Sequence, residues 1–266
     1  MRHLLSRCAV CAAVVSPLAS KTFAQSVADT VVTYNAINAP TTFGGDPYNV
    51  SAGAVGLPTA DTTFGDLTPF NAPFDRSQIV GIGDGGSLVL HMSQPMRTNG
   101  FTLGIHAAVG LIDIDFPNGH TNPAATPYTD PRDAIVSVSQ DGITWKSLGA
   151  VDFDAPTNFY SEGITTPGFQ SDAGTKTADF LKPFTGTLSD FANKDWPGVL
   201  TALNGSAGGE WLDLSGTNLP EVNFVRFDVS GSGNKMFVDS VVGIAVPEPT
   251  TLSWIAIGFL LARRKK

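Results

Sequence analysis

The chain has 266 residues, of which 42% are hydrophobic and 15% charged, and carries a formal net charge of −8. That acid surplus opposes binding to nucleic acid or to an anionic membrane, both of which attract basic surfaces. Both cysteines, Cys8 and Cys11, lie near the start, so the rest of the chain has no disulfide, thiolate nucleophile or cysteine metal site.

Residues 1–24 read as a secretory signal. Arg2, His3 and Arg7 give a positive start, residues 8–18 a short apolar run, and the small residues Thr22 and Ala24 a cleavage point before Gln25. Neither cysteine fits a lipoprotein pattern: Arg7 precedes Cys8, and Cys8-Ala9-Val10-Cys11 lacks the required Leu. The protein is therefore expected to cross the inner membrane and act at the cell surface or beyond it.

Residues 25–245 form the expected globular domain, large enough to bury most of its apolar surface. They keep nine Lys and Arg against twenty-three acids, a net −14, and twenty of those acids are Asp. Asp favours turns and caps over helix interiors. Short apolar runs punctuated by Gly, Pro, Asn and Asp predict an all-β fold, an antiparallel β-sandwich of jelly-roll type. The predicted strands are residues 87–92, 101–105, 110–116, 134–139, 143–148, 224–229 and 236–244. Ala134, Val136 and Val138 alternate with Ser137 and Ser139, and Val225, Phe227 and Val229 with Arg226 and Asp228. Gln140-Asp141-Gly142 marks a hairpin between two of these strands. The unit Ser139-Gln140-Asp141-Gly142-Ile143-Thr144-Trp145 resembles the Ser-x-Asp-Gly-x-x-Trp hairpin of discoidin-like and related jelly-roll domains. Phe237-Val238-Asp239-Ser240-Val241 resembles the closing strand of such sandwiches. Residues 152–219 read as a long polar connection. Its one helical candidate is capped by Ser189, reaches Leu203 and is interrupted at Pro197-Gly198.

Chemistry-bearing patterns are sparse. Gly81 to Gly86 spell G-x-G-x-x-G, but a strand-like run follows where a nucleotide fingerprint needs a helix, so a glycine turn is expected. His91, His106 and His120 lack metal-ligand spacing, and Asn204-Gly205-Ser206 lacks the first glycine of a nucleophile elbow. Of the Glu residues, Glu162, Glu210 and Glu221 lie in the domain, and no pair of acids stands out as a glycosidase couple. Asp113 and Asp115 would share one face of the 110–116 strand, and Asp152 and Asp154 repeat the spacing. Calcium takes several oxygen ligands, so Asp113 and Asp115 are the candidate calcium residues, against a solvated strand face. Phe159, Tyr160, Trp196 and Trp211 offer rings for stacking on sugars, against core packing.

The last twenty-one residues, 246–266, form a tail: Pro247-Glu248-Pro249, an apolar run over residues 252–262, then Arg263, Arg264, Lys265 and Lys266. Basic residues after an apolar segment stay cytoplasmic, which leaves the domain outside. Eleven helical residues cover about 16 Å against a bilayer core of about 30 Å, a poor permanent anchor but an adequate transient one. The tail resembles the PEP-CTERM sorting signal, and Gly83-Asp84-Gly85-Gly86-Ser87 resembles an element of proteins that carry it. The resemblance implies a Gram-negative surface or extracellular-matrix protein, non-catalytic and associated with exopolysaccharide. Its partner would be an exosortase-type membrane protease, and its membrane contact the transient one of the C-terminal helix. An ordinary membrane anchor is the other reading of the tail. For the domain, a secreted glycan hydrolase and a calcium-dependent carbohydrate-binding module are the alternatives.

Overall fold

The computed structural model describes residues 24–128, 133–162, 165–168 and 174–247. Residues 1–23 of the expected signal segment, Glu248, Pro249, the apolar run and the four basic residues lie outside the described residues.

Among the described residues, thirteen strands and one α-helix follow one another. They are β1 (Gln25–Asn35), β2 (Asp61–Thr62), β3 (Gly65–Asp66), β4 (Val80–Gly83), β5 (Ser87–Met96), β6 (Phe101–Ala107) and β7 (Asp133–Ser139). Then come β8 (Lys146–Asp152), β9 (Tyr160–Glu162), β10 (Lys176–Thr177), α1 (Trp196–Leu203), β11 (Glu210–Asp213), β12 (Val222–Asp228) and β13 (Lys235–Ile244). The main sheet runs β11-β6-β13-β1-β5-β12-β7-β8, with β4 beside β13, and is antiparallel throughout. The fold is all-β and sandwich-like.

β1 joins the two layers by changing partners along its length. Its first three residues pair with β13, and the rest with β5 through two register shifts. Such bulges bend and twist a strand, which lets one strand serve both layers. Leu88, Leu90, Val136, Val138, Val225 and Phe227 from one layer share a core with Ile82, Leu103, Ile105, Val238 and Val241 from the other. The period-two patterns thus hold: Ala134, Val136 and Val138 face this core while Arg226 and Asp228 point away, 2.7 Å apart as an ion pair.

A second core covers the outer face of the β13 side. Phe191, Trp196, Val199, Leu203 and Trp211 pack there with Val242 and Ile244. The connection expected to be a polar loop is therefore a covering layer. α1 is capped at its start by Asp195, whose carboxylate accepts from Gly198 N–H at 3.0 Å, and at its end by Asn204 in a left-handed conformation. Pro197 opens this helix rather than interrupting it, because a first-turn residue needs no N–H partner. Thr187, not Ser189, caps the preceding short 3₁₀ turn Leu188–Phe191.

Two strand expectations need correction. Residues 110–116 form no strand: only Leu111 and Asp113 make isolated bridges, to Pro127 and Thr121. The Asp113 carboxylate accepts from the N–H groups of Asp115, Gly119 and His120, which stabilises a turn and leaves Ile112 and Ile114 exposed. β8 begins at Lys146 instead of residue 143, because Asp141 Oδ1 takes the N–H groups of Ile143 and Thr144 at 2.8 and 2.7 Å. Ser139 Oγ accepts from Asp141 and Gly142, Gly142 has φ +73°, and the Arg226 guanidinium lies 5.9 Å from the Trp145 ring. Ser, Asp, Gly and Trp of this hairpin each have a physical task.

Candidate functional site

The first site is the place where the chain enters and leaves the domain. Gln25 of β1 lies opposite Ile244 of β13, and Ala24 C=O accepts from Ala245 N–H at 2.9 Å. The end of β5 and the turn after it grip the same stretch: Arg97 N–H donates to Ile244 C=O at 3.0 Å, and Val246 N–H donates to Pro95 C=O at 2.8 Å. On the entry side Ser26 Oγ donates to Gln94 C=O at 2.6 Å. Gln25 is partly and Ala245 fully buried, whereas Val246 and Pro247 are exposed. Ala24 and Pro247 are therefore neighbours at one end of the sandwich. Val246, which makes the last backbone hydrogen bond among the described residues, directly precedes the Pro247-Glu248-Pro249 motif.

The other expected site residues do not converge. Asp113 spends its oxygens on three backbone N–H groups, and Asp115 Oδ2 accepts from Asn118 Nδ2 at 3.3 Å. Among the described residues no three His, Cys, Asp or Glu side chains group as a metal site. Trp196 and Trp211 are buried, and Trp211 Nε1 donates to Gly208 C=O at 3.1 Å, so neither presents a ring to a sugar. Phe159 packs with Phe180 instead. Gly81 to Gly86 span the end of β4 and the turn into β5; a Cβ on Gly83 would lie 1.8 Å from Asn38 O. Ser206 Oγ donates to Lys182 C=O at 2.7 Å and accepts from Gly208 N–H, and no described histidine hydrogen-bonds to it.

Three titratable groups stand out. His106 is fully buried with Nδ1 3.2 Å from Thr157 Oγ1, and burial pushes its pKa down to about 3. Asp239 is buried under residue 59 and accepts from Thr59 N–H and Oγ1, the latter at 2.7 Å. Burial raises its pKa to about 7 despite those bonds. Glu210, half-buried on β11, is raised to about 7 by burial and by the negative charges of Asp154 and Asp152. No sequence signal marked these three, because the shifts arise from tertiary burial.

A second site lies at the other end of the sandwich. Tyr48, Phe64, Phe74, Tyr128 and Phe237, with Asn71, line a cleft of about 280 Å³. Phe64 and Phe74 stack at 5.2 Å, and Tyr48 meets Phe237 edge-on at 5.2 Å. These aromatics come from segments scattered from residue 48 to residue 237, so no local pattern could assemble them. No model of a known protein family matches the chain, and no curated protein is similar to it.

Proposed function

We propose that this is a non-catalytic exported protein of the cell surface or extracellular matrix, with a jelly-roll ectodomain and an association with exopolysaccharide. An exosortase-type membrane protease sorts it through the 246–266 tail. The observation that carries this reading is the shared exit. Both flanking segments leave the domain side by side, and the backbone bonds from Ala24 to Val246 hold the domain closed right up to the tail. A protease acting at Pro247-Glu248-Pro249 would release a body that keeps its closing strand paired on both edges. Intact mass and fractionation in the native host test it, for wild type and for Pro247→Ala/Glu248→Ala/Pro249→Ala. Wild type ending near Val246 outside the cell, with the variant retained in membranes, supports sorting. Two proteins that both keep Lys266 and fractionate alike reduce the tail to an anchor.

A secreted glycan hydrolase is the second reading, and Glu210 favours it. A carboxyl held near neutral beside two other acids has the protonation behaviour of a general acid. Turnover of a polysaccharide by the protein, abolished in Glu210→Gln at unchanged melting temperature, would establish this reading instead.

A further inference from the structure

We infer that the aromatic cleft is a subsite for one sugar ring of a neutral glycan chain. This deepens the polysaccharide association proposed above and rests on it. The cleft is ring-sized and lined by five aromatic side chains, the kind of surface on which the C–H face of a pyranose packs while its hydroxyls stay at the edges. Tyr128 supplies the directional contact. Its hydroxyl accepts from Ala72 N–H at 2.9 Å, and its own proton has no acceptor among the described residues. The residue is 48% exposed, yet burial of its hydroxyl pushes the pKa to about 12, so the group stays a donor at any ordinary pH. Gly110 fixes the ring: a Cβ there would lie 2.0 Å from Tyr128, so the ring rests directly on the backbone, and Tyr128 N–H donates to Gly110 C=O.

A chain rather than an isolated ring fits because the cleft does not stop at its mouth. Tyr48 and Phe74 also line an open trough of about 800 Å³ that continues past Thr63, Asp75, Arg76 and the fully exposed Phe43. Arg76 Nη1 lies 3.6 Å from Asp46, and Asp75 Oδ2 accepts from Thr63 Oγ1, so the trough carries polar groups of both signs. A compact apolar ligand would have no use for such a floor, whereas the hydroxyls of successive sugars would. The glycan is neutral because the 25–245 segment has a net charge of −14, which repels uronate-rich polymers. The site also stays accessible during sorting. Phe237 sits at the start of β13 and Ile244 at its end, which places the cleft about 23 Å along the strand from the tail exit.

The test is titration of the full chain in detergent with cellohexaose, mannohexaose and a polygalacturonate oligomer, followed by calorimetry. Wild type, Phe64→Ala and Tyr128→Phe are compared, with melting temperatures recorded for all three. Binding of a neutral hexaose, weakened roughly tenfold in both variants at near-native melting temperature, supports the subsite. Phe64 is half exposed, so its replacement leaves the core intact if Tyr128→Phe proves unstable. No binding of either neutral hexaose, equal binding in all three proteins, or preference for polygalacturonate each overturns it. So does a cleft that takes an apolar dye, displaced by neither hexaose. Tail processing in the native host is read separately: binding with failed processing sinks the sorting reading alone, and processing without binding sinks the subsite alone.

Discussion

Replacing Asp239 by Asn should remove one component of the domain's pH dependence. In the folded protein the carboxyl is pushed up to about 7, against about 3.9 in an unfolded chain. A raised carboxyl means that the folded state holds the proton more tightly. The stabilisation is full below the unfolded pKa and is lost as pH rises through 7. At 1.36 kcal/mol per pKa unit the whole span is about 4 kcal/mol, and the part between pH 5 and pH 7 is about 2 kcal/mol. The wild-type curve alone would hide this. His106, held near 3 against about 6.5 unfolded, loses about 2 kcal/mol over the same acidification because the unfolded state takes the proton first. The difference between Asp239→Asn and wild type cancels the histidine, which both share. Asn keeps an acceptor for Thr59 Oγ1, so the tie between residue 59 and β13 survives. Urea unfolding at pH 5, 6 and 7 should show the variant's stability relative to wild type falling by about 2 kcal/mol from pH 7 to pH 5. A difference that stays constant over that range would refute the assignment of a buried, near-neutral Asp239.

Three further outcomes follow from the packing. Phe227→Ala empties a fully buried ring position beside Phe153 and should cost about 3–5 kcal/mol in urea unfolding, with the m-value unchanged. Millimolar calcium should leave the melting temperature unmoved, since Asp113 already satisfies three backbone donors; a calcium-dependent rise abolished by Asp115→Ala would contradict this. Under the sorting reading, inserting Gly-Ser-Gly-Ser after Val246 should speed tail processing in the native host, because the motif begins one residue beyond the Val246–Pro95 bond. Processing slower than wild type would show that the protease reads the clamped geometry itself.

The legible parts of this fold are those whose signal is local. Where a strand has one face in the core, as in β7 and β12, period-two alternation survives in the sequence and was readable. The Ser139–Trp145 hairpin was readable for the same reason, since its bonds close within six residues. Residues 110–116 show the failure of that logic. Leu-Ile-Asp-Ile-Asp alternates like a strand, but Asp113 finds three N–H groups within seven residues and builds a turn. Trp196 and Trp211 were ambiguous because an aromatic in a polar stretch looks the same whether it anchors a second layer or faces solvent. Only Val242 and Ile244, more than thirty residues away, decide it. The cleft was invisible because its rings come from the loop around residue 48, the 64–74 segment, Tyr128 and β13.

The two sites are tied together by the direction of β13. Antiparallel pairing of β1 with β13 brings Gln25, where β1 starts, and Ile244, where β13 ends, to one end of the sandwich. Everything joined to the start of β13 then lies at the other end. β4 pairs there with Lys235–Val238, and the 64–74 segment and Tyr128 gather around Phe237. Under the sorting reading this polarity assigns roles to the two ends without further assumption. The end with Ala24, Pro95 and Val246 faces whatever holds the tail, and the aromatic end faces away from it. A ligand bound in the cleft would not compete with tail processing, so the two activities should be separable by mutation. Phe64→Ala should be processed like wild type, and the Pro247→Ala/Glu248→Ala/Pro249→Ala chain should titrate with glycan like wild type. If either substitution disturbs both readouts at unchanged melting temperature, the ends are not independent and this polarity argument fails.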